Sequence, residues 1–163
     1  MLRVTPIYGS RWDKSGPAPL GSCTLIEYAD VKVLVNVGGP VVDYDWSSQL
    51  PEHDCLLLTD STMENMGSLP LYCSSAKSAA PHIYATFPTV KMGQMSLYDH
   101  HANICLDGGR PPFSLEQMDQ AFAELQTIKY AQTLLLPTKE KPRLAITAYR
   151  AGHVVGGAFY VLK

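Results

Sequence analysis

The stretch CLLLTDSTMENMGSLP, residues 55–70, decides the fold. Cys55 to Leu58 are apolar without alternation, as in a strand covered on both faces inside a parallel sheet. The run breaks into a polar loop, Thr59 to Gly67, and then into a helix-compatible segment from Ser68. Strand, loop and helix in that order make a βα unit. The carboxyl end of such a strand is where open α/β sheets place their sites. The loop is therefore read for chemistry first. It contains no histidine, so a zinc pair bound through imidazoles has no ligand here. Asp60 and Glu64 suit a hard cation such as magnesium, with water filling the remaining positions. Asp60, Ser61 and Thr62 equally suit the start of a helix, because a short polar side chain accepts from a free amide there.

The flanking segments extend the α/β pattern. Residues 2–8 alternate and read as a strand, and Gly9 to Gly21 reads as a loop. Ser22–Tyr28 and Val31–Val37 read as a hairpin around Ala29-Asp30, ended by Gly38-Gly39-Pro40. Residues 41–52 read as irregular with a short helix. The pattern predicts a helix over Ser68–Ser78, a short strand over His82–Ala85, and a helix over Thr89–Asn103 with Pro88 at its first position. Met92, Met95 and Tyr98 fall at helical spacing on that element.

Ser114-Leu-Glu-Gln117 spells a capping box, with Ser114 and Gln117 satisfying each other's free amides. Leu115, Met118, Phe122 and Leu125 follow on one helical face. Thr127–Leu136, Arg143–Tyr149 and Ala158–Leu162 read as three strands. The order gives an α/β protein with a mixed sheet, and the last strand, stopping at Lys163 without a cap, reads as cut mid-domain.

Composition bounds the function. The 163 residues are 46% hydrophobic and 17% charged, which suits one folded domain with a real core. The formal charge is −2 and the isoelectric point about 6.2. A chain-wide attraction to nucleic acid is therefore not expected, although a local basic patch is compatible with these values. No apolar run approaches the roughly 20 residues of a membrane helix, and no secretory h-region opens the chain. An intracellular protein without a membrane partner is expected. Cys23, Cys55, Cys73 and Cys105 are widely spaced and read as free thiols.

The remaining polar features are weaker. His153 lies in Ala151-Gly-His-Val-Val-Gly-Gly-Ala158, as a ligand or a packed histidine. His100 and His101 point about 100° apart on a helix and do not share one ion. His53 and His82 start strands without an evident partner. Thr138–Arg143 is the densest basic stretch and reads as a solvated hairpin turn. There is no nucleophile elbow, P-loop or dinucleotide fingerprint.

Four stretches, CLLLTDSTMENMGSLPLY (55–72), IYATFPTVKMGQMSLYD (83–99), SLEQMDQAFAELQTIKYAQ (114–132) and AGHVVGGA (151–158), together resemble the metallo-β-lactamase domain of the β-CASP nucleases. They are more closely similar to the subunit 2 family of cleavage and polyadenylation specificity factors. The KMGQM stretch and the helix around Met118–Phe122 carry that choice, since the catalytic subunit and the Integrator paralogues share the fold.

The resemblance implies an αββα sandwich with mixed sheets and flanking helices, of which residues 1–163 are the N-terminal portion before the β-CASP insertion. Active members carry HxHxDH before Gly-x-Leu-Pro. Counting back from Gly67, those places hold Asp60, Thr62, Glu64 and Asn65. The later ligand histidine matches His153, and Asn36 stands at a further acidic place. The implied site is degenerate, with no metal and no cofactor. The implied protein is a non-catalytic pseudo-nuclease scaffold of the nuclear pre-mRNA 3′-end cleavage and polyadenylation complex. Its implied partners are the catalytic endonuclease subunit, other 3′-end processing factors and pre-mRNA, the last giving RNA binding. The alternatives are an active metal-dependent RNA nuclease built on Asp60, Glu64 and His153, and an inactive Integrator-type paralogue.

Overall fold

The computed structural model describes residues 1–9, 21–39, 49–75, 82–136 and 144–163. The expected loop after Gly9, the short helix within 41–52, the end of the helix beyond Ser75 and the basic turn Thr138–Arg143 lie wholly or largely outside the described residues.

Strands β1 (Leu2–Tyr8), β2 (Cys23–Tyr28), β3 (Val31–Val35), β4 (Cys55–Leu57), β5 (His82–Thr86) and β6 (Leu125–Ile128) form one sheet in that spatial order. The first two pairings are antiparallel and the last three are parallel. The hairpin at Ala29-Asp30 is as expected from the sequence. Ala29 takes a left-handed φ of 51°, which a two-residue primed turn requires even of a residue that disfavours it. Strands β7 (Thr133–Leu136), β8 (Leu144–Arg150) and β9 (Ala158–Leu162) form a second, antiparallel sheet.

The two sheets pack face to face, with helices on the far side of the first. Leu34, Leu56, Leu58, Ile83 and Ala85 face Met66, Leu69, Tyr72, Val90 and Ala121 of the helix layer. Their strand neighbours Val33, Cys55, Leu57 and Tyr84 face Leu136, Leu144 and Ile146 of the second sheet. Side chains alternate along a strand, so a strand between two apolar layers has no polar position to give. That is why residues 55–58 are uninterrupted.

Helices α1 (Met63–Met66), α2 (Leu69–Ser75), α3 (Phe87–Leu106) and α4 (Leu115–Ala123) make the outer layer. The Ser114–Gln117 capping box is present with both reciprocal bonds. Three expectations need correction. Helix α3 begins at Phe87 and is capped by Thr86, whose hydroxyl accepts from the Thr89 amide. Pro88 therefore sits at its second position. Its buried face is Thr89, Val90, Gly93 and Leu97, whereas Met92 and Met95 are exposed. Leu125 opens β6 and does not extend α4, and Leu115 is 50% exposed. Finally, residues 127–136 are not one strand. The chain leaves the first sheet after Ile128, turns through Ala131 at φ 60°, and enters the second sheet at Thr133. Among the described residues no helix is long and apolar enough to cross a membrane.

Candidate functional site

The parallel register aligns the carboxyl ends of β3, β4, β5 and β6 along one edge of the first sheet. At that edge stand Asn36, Thr59-Asp60, Thr86 and Lys129-Tyr130. Asn36 follows β3 in the left-handed region at φ 62°, which asparagine tolerates better than most residues. Its amide donates to the Leu57 carbonyl at 2.9 Å, so the turn is tied to β4. The side chain then reaches the loop after β4. Its Oδ1 accepts from the Thr59 amide at 2.9 Å and faces the Thr59 hydroxyl at 3.1 Å.

Asp60 is 7% exposed and fully engaged. Oδ1 accepts from the Thr62 amide at 2.9 Å and the Thr62 hydroxyl at 2.7 Å, and Oδ2 accepts from Asn65 Nδ2 at 2.7 Å. The Asn65 Oδ1 in turn accepts from Ser22 Oγ at 2.8 Å and Asn36 Nδ2 at 3.0 Å. One knot of neutral donors around one carboxylate thus ties β2, β3, the β4 loop and α1 together. Bonds to an ionised acceptor are roughly twice as strong as neutral ones, and linked bonds in a sheltered network reinforce one another. Thr62 precedes α1 as expected of a cap, but its side chain bonds Asp60 and not a helix amide.

The structure brings Asp60, Thr62, Asn65 and Asn36 together, and it leaves the other two candidates exposed. The Glu64 side chain is exposed, while its backbone carbonyl accepts from the Ser22 amide at 2.8 Å. His153 is exposed on the loop between β8 and β9. That loop is pinned to the same edge: the Ala158 amide donates to Thr59 at 2.7 Å, and the Gly156 carbonyl accepts from Thr86 Oγ1 at 2.6 Å and Thr89 Oγ1 at 2.9 Å. Ser22, Thr59, Thr86 and Thr89 were not singled out in the sequence. The only signal for the last two was the Thr-x-Pro-Thr spacing of a capped helix.

This donor set does not fit a metal pair. A zinc ion takes neutral imidazole, thiolate or carboxylate ligands converging within about 2.0–2.3 Å. Here the carboxylate lone pairs are already occupied, and Asn65 and Thr62 spend their polar atoms on the knot. Among the described residues no three of His, Cys, Asp and Glu are placed to share an ion.

Three of the thiols, Cys23, Cys55 and Cys73, are also unsuited to nucleophilic chemistry. All four cysteines are free, and burial pushes Cys23 and Cys55 up to about 12. Burial likewise raises Cys73, helped by Glu124.

A metallo-beta-lactamase superfamily domain matches residues 25–163. The chain belongs to this superfamily. The probable cleavage and polyadenylation specificity factor subunit 2 of Drosophila melanogaster is 32% identical over 98% of this chain and 21% of its own length. The cleavage factor two protein 2 of Schizosaccharomyces pombe is 36% identical over 70% of this chain and 14% of its own length. The chain therefore spans about a fifth or less of the length of these relatives. Among solved structures, the metallo-beta-lactamase fold protein YhfI from Bacillus subtilis aligns with all of this chain and 58% of its own, at TM-score 0.52 and 16% identity. That likeness shows the superfamily fold and nothing about activity.

One buried histidine is bonded to helix α2 of this domain. His53 Nδ1 meets the Pro51 carbonyl at 2.9 Å and Nε2 meets the Tyr72 hydroxyl at 2.7 Å. The neutral ring that donates through Nδ1 and accepts from Tyr72 satisfies both bonds. Burial lowers the His53 pKa below its ordinary 6.5, opposed by the Pro51 carbonyl and by Asp54. The folded state therefore binds this proton less readily than the unfolded chain. Its contribution is fully present above about pH 6.5 and is lost as the pH falls below that value. Chemical melts at neutral and mildly acidic pH should show stability falling with pH, and the fall should be smaller in His53→Gln. An equal fall in both proteins would exclude His53 as its source.

Proposed function

We propose that this domain is a non-catalytic, pseudo-nuclease scaffold within the nuclear pre-mRNA 3′-end cleavage and polyadenylation machinery. It works by pairing with a catalytic endonuclease subunit and other processing factors. The relatives' names support the process. The observation that supports the scaffold role is the Asp60 knot, whose carboxylate is filled by Thr62 and Asn65 at the places where the family's ligands would stand. With no metal to lower the pKa of a bound water, the site lacks a nucleophile for phosphodiester hydrolysis.

The test is metal analysis and RNA cleavage on the purified full-length protein, with co-purification of its partners. Substoichiometric zinc, no cleavage and recovery of an endonuclease subunit with polyadenylation factors are expected. Stoichiometric zinc with cleavage that disappears in His153→Ala would overturn the reading in favour of an atypical nuclease. Recovery of small-nuclear-RNA processing factors instead would assign the domain to an Integrator-type complex.

A further inference from the structure

Cys105 is the exposed thiol of the chain, on the penultimate residue of α3. His101 precedes it by one turn on the same side of the helix, because residues four apart stand one above the other. The Cys105 Sγ is 3.9 Å from His101 Nδ1. Phe113 holds the imidazole for this contact. Its buried ring stacks on the imidazole with 6.4 Å between centroids and 29° between planes. His101 is half-buried, so it meets both protein and solvent.

The pair sits in a stretch of chain that suits a cation. No lysine or arginine occurs from residue 92 to residue 109, and the last turn of α3 has no basic residue. Asp107 caps the helix there and adds an exposed carboxylate. The carboxyl end of a helix is also the negative end of its dipole, which attracts positive charge. The next cation along the chain is Arg110, in the turn after α3.

The spacing of the two donors fits one ion. Imidazole nitrogen and thiolate sulfur bind zinc at about 2.0–2.1 Å and about 2.3 Å, so their donors stand about 3.6 Å apart at a tetrahedral ion and about 4.3 Å apart at a linear one. The 3.9 Å between Cys105 Sγ and His101 Nδ1 falls between these limits. Among the described residues no third histidine, cysteine or carboxylate joins the pair. The ion must therefore accept few protein ligands.

We propose that His101 and Cys105 form a two-donor site for a soft, thiophilic metal ion with a filled d shell. Copper(I) suits the donor set best, because thiolate selects it and it is stable with as few as two ligands. Zinc wants four ligands and would fill its shell with water here. The ion replaces the thiol proton, which leaves to solvent, and the imidazole binds through Nδ1 with its own proton on Nε2. Cys105 lies about 27 Å along the helix from Phe87, at the far end from the sheet edge that carries the Asp60 knot. The site and the scaffold role are therefore independent of each other.

The test is alkylation of Cys105 by iodoacetamide in the unaltered full-length protein, read from the modified peptide by mass spectrometry. It is run under argon without metal, with copper(I) buffered by bicinchoninate, and with buffered zinc. Copper(I) is expected to slow the modification of Cys105 at least tenfold. Protection by zinc and not by copper(I) would keep the site and assign its ion as zinc. Protection by neither ion overturns the proposal.

Two variants separate the pair from the thiol alone. His101→Gln should lose most of the protection at the same copper(I) activity, whereas His82→Gln, at an exposed histidine on β5, should keep it. Equal protection in His101→Gln would show that the thiol holds the ion without the imidazole, and the paired site would fall. Cys105→Ser should retain one copper fewer per chain than wild type after anaerobic gel filtration. An equal copper count would likewise overturn the assignment.

Discussion

Asp60→Ala should lower the unfolding free energy by about 3 kcal/mol, because three donors lose their acceptor inside a closed network. The Thr62 amide, the Thr62 hydroxyl and Asn65 Nδ2 all point at the missing carboxylate. Asn65 then has nothing to hold its amide against Ser22 and Asn36, so the link between β2, β3 and α1 loosens as well. Urea unfolding of wild type and variant measures the loss. A decisive companion is unfolding of the wild type with and without EDTA, then with added zinc or magnesium. If the knot itself holds the loop, none of these additions shifts the wild-type midpoint. A midpoint that falls with EDTA and returns with zinc would mean that an ion, not the hydrogen bonds, ties the edge together.

Gly67→Ala should cost about 3 kcal/mol, at the upper end of the usual range for overpacking. Its φ of −61° is ordinary, so the glycine is not there for conformational freedom. The reason is space. A Cβ at residue 67 would stand 1.5 Å from the Gly39 carbonyl oxygen and 2.6 Å from the Met63 oxygen, both of them backbone. Helix α1 packs directly against the turn after β3, as the Gly39 amide bond to the Met63 carbonyl at 2.9 Å also shows. Relief requires moving that turn, and with it the ends of β3 and α1 that carry Asn36 and Asn65. Equilibrium unfolding checks the expectation, and a loss below about 1 kcal/mol would show that the turn yields cheaply.

Much of the architecture was legible in the chain. The apolar run at residues 55–58 announced a strand between two layers, and the structure supplies both. The Ser114–Gln117 pattern announced its helix start, because capping is settled within one turn of chain. Errors gathered where a local pattern has two readings. Leu125 continues the spacing of α4, yet the helix stops at Ala123 and the chain is drawn into β6 against β5. Residues 127–136 look like one strand because β-branched and apolar residues suit either sheet. The change of sheet depends on Tyr130 and Ala131 meeting Ala148.

The candidate site divides the same way. The sequence by itself determined which side-chain groups are available at the end of β4: no imidazole, two carboxylates, one amide and three hydroxyls. Composition at a fixed spacing is a property of the chain, and folding does not alter it. Only the tertiary structure decided what those atoms do. Asp60 is open to magnesium or to a cap when the loop is read alone. It is filled by Thr62 and Asn65, while Ser22 and Asn36, far away in the chain, hold Asn65 in place.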